Sequence, residues 1–88
     1  MIERAVTIVN PLGLHARPAA QFVRIASGFQ SHIELEKDGL AVNGKSIMGV
    51  MMLAAEHGAS LRIRAEGPDA EAALTALAQL VADGFGES

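Results

Sequence analysis

Ser31-His32-Ile33-Glu34-Leu35-Glu36-Lys37-Asp38-Gly39-Leu40-Ala41-Val42-Asn43 decides the architecture of this 88-residue chain. Ile33 and Leu35 alternate with His32, Glu34 and Glu36, the period of a strand with one buried and one wet face. Asp38-Gly39 is a two-residue hairpin signal, because the favoured turn needs positive φ at both central positions. Two antiparallel strands are therefore expected. A one-sided strand in turn requires a covering layer.

Upstream, Ile2 to Val9 reads as another half-buried strand, with Ile2, Val6 and Ile8 set around Glu3 and Thr7, and Asn10-Pro11-Leu12-Gly13 breaks it. From Pro18 onward Ala19, Phe22, Val23 and Ala26 recur at helical spacing while Gln21 and Arg24 point elsewhere. Pro18 suits a first turn, where its missing N–H is not required, and Gly28 is a stop signal. Downstream, Ser46 is placed to cap a short helix reaching Leu53, and Ser60 to Glu66 alternates as a strand with Arg62 and Arg64 on its solvated side. Gly67-Pro68-Asp69 opens a last helix, whose stripe is Ala70, Ala73, Leu74, Leu77, Leu80 and Val81, ending near Gly84. The order βαββαβα predicts an α+β fold, a four-stranded antiparallel sheet with its helices on one face. No repeat or linker divides it, so residues 1–88 are expected to form one domain.

Half the residues are hydrophobic, enough for one small core. There is no cysteine, which removes disulfides, thiolate chemistry and Cys-ligated zinc together. A net charge of −3 with 3% aromatics argues against a nucleic-acid surface, which needs clustered cations and stacking rings. No apolar run approaches a membrane span, and Met1-Ile2-Glu3-Arg4 lacks the pattern of a signal peptide, so a cytoplasmic location is expected. His32, on an outward strand position, and His57, in a loop, have no ligand-like spacing to each other or to His15. Neither a metal nor a cofactor is expected.

The chemistry concentrates in Leu14-His15-Ala16-Arg17-Pro18, where an imidazole falls at a predicted helix start with an arginine two residues on. Most histidines in such a place are polar caps, but the free N–H groups and positive dipole end favour a phosphate bound there. The same dipole disfavours an imidazolium and so leaves a nucleophilic lone pair on the ring. Once phosphate is attached, the guanidinium fork of Arg17 can bond its oxygens at two points. Phosphoryl transfer demands chiefly positioning and charge stabilisation.

Asn10-Pro11-Leu12-Gly13-Leu14-His15-Ala16-Arg17-Pro18-Ala19-Ala20 closely resembles the active-site segment of HPr, the histidine-containing phosphocarrier family of the bacterial phosphoenolpyruvate-dependent phosphotransferase system. Gly44-Lys45-Ser46-Ile47-Met48-Gly49-Val50-Met51 resembles the second signature of that family. The tail from Leu80 to Glu87 and the Met52-Leu53-Ala54-Ala55 stretch look like proteobacterial forms, the nitrogen-related branch among them. The resemblance implies an open-faced β-sandwich of sheet order 1-4-2-3 with three helices on one face. It implies that His15 takes phosphate on Nδ1 from phosphorylated enzyme I and passes it to an EIIA-type acceptor, with Ala16, Arg17 and Pro18 steadying the group. The protein is then a carrier, not an enzyme.

The resemblance also makes Ser46 the target of a regulatory kinase, HPr kinase/phosphorylase. A dianion at that helix start would sit in the middle of an apolar docking face. That face is expected to comprise Ala20 and Arg24 of the first helix with Ile47, Met48, Met51 and Met52. A helix of about seven residues with apolar groups nearly all round cannot bury them all, and methionine repacks readily against unlike partners. The interface should be small and transient, on a monomer. Two other readings are open: a purely regulatory binding protein controlled through Ser46, and a small-ligand sensor with a pocket between helices and sheet. Gly44-Lys45-Ser46 lacks a glycine four residues further upstream and follows a short hairpin strand instead of opening a long helix, so a nucleotide-binding loop is not expected.

Overall fold

In the computed structural model, which describes residues 1–87, the elements are β1 (Ile2–Thr7), α1 (Ala16–Ser27), β2 (His32–Lys37), β3 (Leu40–Asn43), α2 (Ile47–Met52), β4 (Ser60–Glu66) and α3 (Ala70–Ala82), followed by a 3₁₀ turn over Gly84–Gly86. All strand pairs are antiparallel, in the order β1-β4-β2-β3. The hairpin forms as its letters require: Asp38 (φ 52°) and Gly39 (φ 86°) both take left-handed conformations between β2 and β3.

Ile33, Leu35, Leu61, Ile63 and Ala65 line the inner face of the sheet and are buried against Phe22 and Ala26 of α1, Val50 of α2, and Leu74, Leu77 and Val81 of α3. The outer face is a charged lattice. Arg64, three-quarters covered, hydrogen-bonds Glu3 at 3.2 Å, contacts Glu36, and lies 3.8 Å from Glu34, while Arg62 reaches Glu3 at 3.4 Å. The expected solvated side is thus a network crossing three strands.

Three boundaries differ from the sequence reading, while Gly28 stops its helix as expected. Helix α1 begins at Ala16, two residues before Pro18, which makes His15 its N-cap. Gly28 ends it in a right-handed conformation (φ −76°), so its chain-terminating role needs no left-handed glycine. Helix α2 stops at Met52, with Leu53 as the capping residue. Strand β1 ends at Thr7 and is less buried than its alternation implied: Ile2 is exposed, Arg4 lies on the helix-facing side, and only Val6 is half-buried. As an edge strand it is covered mainly by α3, and an inward charge such as Arg4 discourages edge-to-edge pairing. Ile8, beyond the strand, is fully buried.

Asp69 precedes α3 but does not cap it with its side chain. Its carboxylate instead accepts from the N–H groups of Gln30 and Ser31, both at 2.9 Å, and from the Ser31 hydroxyl, which accepts from Asp69 N–H at 3.2 Å. These bonds, led by the Ser31 hydroxyl, hold the Asp69 carboxyl below the usual carboxylate range. A depressed folded value means stabilisation that is present above the unfolded value of about 4 and lost as pH falls further. Replacing Asp69 by Asn should therefore lower Tm at neutral pH and flatten the fall of stability below about pH 4. Phe22→Ala, in the core, should cost about 3–5 kcal/mol by urea unfolding.

Candidate functional site

The turn Asn10–Gly13, closed by a bond from Gly13 N–H to Asn10 O at 3.2 Å, presents His15 to the surface. Gly13 is required there: its φ is +71°, and a Cβ on it would stand 2.4 Å from the carbonyl oxygen of Ala55. The next residue, Leu14, donates its N–H to that same oxygen at 2.8 Å. The segment following α2 is thereby stitched to the turn that carries the histidine.

His15 has extended backbone angles (φ −79°, ψ −168°), and its side chain makes no capping bond to α1, so the first N–H groups of the helix are left unclaimed by the ring. The ring is half-exposed and anchored on one side only. Nε2 lies 2.9 Å from Oε2 and 3.1 Å from Oε1 of Glu87. A carboxylate can only accept, so a neutral ring bound in this way carries its proton on Nε2 and its lone pair on Nδ1. The Asn10 side-chain amide donates to Glu87 Oε1 at 3.0 Å and to Gly13 O at 2.7 Å. The hydrogen bond from His15 holds the Glu87 carboxyl below its ordinary range; the Asn10 bond and the charge of Arg17 act in the same sense against partial burial. Arg17, second residue of α1, is exposed and has no protein hydrogen bond or ion pair among the described residues. Ala16 is exposed and Pro18 buried.

Ser46 caps α2, its hydroxyl accepting from Gly49 N–H at 3.1 Å. Around it Met48 and Met52 are 77% and 69% exposed, and Ile47 and Met51 nearly half exposed, while only Val50 of the helix is buried. Helix α1 packs beside α2 and turns Ala20 and Arg24 outward.

Two residues of this region escaped the sequence reading. Glu87 is 72 positions from His15, and no local spacing signals it. Leu12, 75% exposed three residues before the histidine, was read only as part of a chain break; its signal is a large aliphatic side chain in a turn that ordinarily takes polar ones. One pattern misleads in the other direction. Gly39 to Ser46 spells G-x-x-x-x-G-K-S, the first glycine falling one residue before the position the sequence reading requires, but Leu40–Asn43 is strand β3, and Lys45 Nζ is bound to the Phe29 carbonyl at 2.8 Å. No phosphate cradle is formed. An open, apolar groove lies between β1 and α3, lined by Val6, Val9, Ala78 and Val81, away from His15. His32 pairs with Glu34 at 3.1 Å, His57 is exposed, and no group of three or more His, Cys, Asp or Glu residues is arranged to hold a metal among the described residues. No helix among them is long and apolar enough to cross a membrane.

Fold and site together define a small open-faced sandwich with a histidine poised at a helix start. The family model described as "PTS HPr component phosphorylation site" matches residues 2–83. Phosphocarrier protein HPr of Cupriavidus necator is 46% identical over 87 residues, covering 99% of this chain and 98% of that protein. The crystal structure of HPr-C-His from Thermoanaerobacter tengcongensis superposes with a TM-score of 0.96 at 50% identity, over 100% of this chain and 99% of that one. The HPr-like protein Crh of Halalkalibacterium halodurans is 48% identical over 77 residues, covering 88% of this chain and 92% of that protein. The chain belongs to the HPr family, the phosphocarriers of the phosphotransferase system, which are carriers and not enzymes.

Gly13→Ala tests the seating of the histidine turn. The left-handed backbone alone should cost about 1–3 kcal/mol in urea unfolding, and the clash with Ala55 adds to it.

Proposed function

We propose that His15 accepts a phosphoryl group on Nδ1 from phosphorylated enzyme I and delivers it to an EIIA-type acceptor, in sugar uptake or nitrogen-related regulation. The observation that carries this reading is the Glu87 carboxylate on Nε2, which leaves Nδ1 as the nucleophile. In the forward step Nδ1 attacks phosphorus, and the bond from phosphorus to the donor breaks with its electrons leaving on the donor. Arg17, unpaired by protein among the described residues, is free to bond the oxygens that arrive, and the N–H groups of the first turn of α1 point the same way. Ala16 shapes the rim, and the buried Pro18 fixes the first turn of α1 that steadies the group. The exposed Ala20, Arg24, Ile47, Met48, Met51 and Met52, with Leu12, form the shared docking face of a monomer acting in the cytoplasm as one domain over residues 1–88.

Ser46 lies inside that face, and we assign it the regulatory phosphorylation by a dedicated kinase. A phosphate there exchanges a cap for a dianion among exposed methionines, so partners dock less well. A purely regulatory binder would have no use for a histidine held in one tautomer, which favours the carrier reading.

Incubation with enzyme I and phosphoenolpyruvate should yield an acid-labile, base-stable adduct that is absent from His15→Ala; an unlabelled wild type would reject the proposal. Arg17→Ala should slow phosphorylation about tenfold to hundredfold, the worth of one charge-assisted bidentate contact. Ser46→Asp should raise the KM of enzyme I for this protein while leaving kcat unchanged, read from the same assay at varied carrier concentration.

A further inference from the structure

Asn10 is 1% exposed, and its amide is only half satisfied. Nδ2 donates to both Gly13 O and Glu87 Oε1, while Oδ1 is buried without a partner. Both partners are acceptors, so a flipped amide would set oxygen against oxygen twice, and the orientation is chemically fixed. An orphaned buried acceptor is costly, and the position keeps it for what the other end of the amide does.

The other end holds the tail. Gly84, Phe85 and Gly86 are three consecutive residues in left-handed conformations (φ 63°, 57° and 74°), a reversal secured by Phe85, which is 2% exposed. This reversal brings Glu87 back across the chain to His15, and Asn10 is the only hydrogen-bond partner of its carboxylate besides the ring, among the described residues. We infer that Asn10 is a positioning residue for phosphoryl transfer: by holding Glu87 against His15 it keeps the proton on Nε2 in both the free and the phosphorylated carrier. This rests on the reading of His15 as the phosphate acceptor.

When Nδ1 of the Nε2–H tautomer bonds phosphorus, the ring becomes cationic unless it releases the Nε2 proton. Glu87 holds that proton in place. On transfer, the acceptor's nucleophile bonds phosphorus, the P–Nδ1 bond breaks, and its electron pair returns to Nδ1. The starting tautomer is regenerated with no proton taken up or lost at the ring. A protonated ring is the better leaving group, so the clip favours delivery. The charged groups facing the ring are Glu87 from the tail and Arg17 from α1; Glu56, in the segment after α2, is turned toward Lys37 at 3.8 Å.

The full chain, loaded chemically with phosphoramidate, gives a readout independent of any partner protein, so a chain that takes no phosphate from enzyme I still tests Asn10. Loss of the P–N signal is followed by phosphorus NMR against pH, and the ring tautomer of the unloaded chain by nitrogen-15 NMR. In the wild type the Nε2–H form should dominate. In Asn10→Ala and Glu87→Gln the two tautomers should mix, and the pH at which phosphohistidine breakdown slows should fall by about one unit. The double variant should behave as either single one. A wild-type profile in Asn10→Ala, or a full shift from Asn10→Ala in the Glu87→Gln background, would overturn the inference. Should Asn10→Ala fail to melt cooperatively, Asn10→Ser, which keeps a donor for Gly13 but is too short to reach Glu87, takes its place under the same criteria.

Discussion

The inner face of β4 holds the molecule together. Leu61, Ile63 and Ala65 are buried beneath the helices, and the strand is paired to β1 on one side and β2 on the other. The strand that joins the sheet last in sequence occupies an interior place, so neither the hairpin nor β1 is completed until it arrives. Burying one face of such a strand excludes register slips, since a shift by one residue would bring Arg62 and Arg64 into the core. The same register sets Glu3, Arg62, Arg64, Glu34 and Glu36 together on the outer face.

With β4 in place, its connections converge at one end of the sheet. Gly58 N–H and Ala59 O bond Ile8 as it leaves β1, and Ala55 O bonds Leu14. The loop before α1 is therefore built on the segment between α2 and β4, and the histidine and the methionine helix share one surface. A half-exposed ring at a helix start can meet a partner, whereas a buried one could not. Anchoring it through Nε2 alone orients it without covering Nδ1.

Much of this was legible in the residues. Alternation in β2 and β4, the Asp38-Gly39 turn and the stripe of α3 each follow from a local period, and local periods survive folding when one face is buried. Ser46 was readable as a cap because capping is a contact within three residues. The surplus apolar surface of α2 was readable from its length. The weak burial of β1 was not, because alternation reports which face turns inward and says nothing about whether a helix covers it. The Gly39–Ser46 spelling shows the converse, a motif whose letters are complete while its backbone is a strand.

What the chain determined by itself is the set of elements, the histidine at the head of a helix and the arginine beside it, all of them consequences of spacing within a few residues. What only the tertiary structure decided is which nitrogen of that ring meets a carboxylate. Glu87 reaches His15 across 72 positions because Phe85 is drawn into the core and the backbone around it reverses, with Asn10 holding the result. A contact of that separation depends on the packing of the whole sheet and its helices, and no local period encodes it.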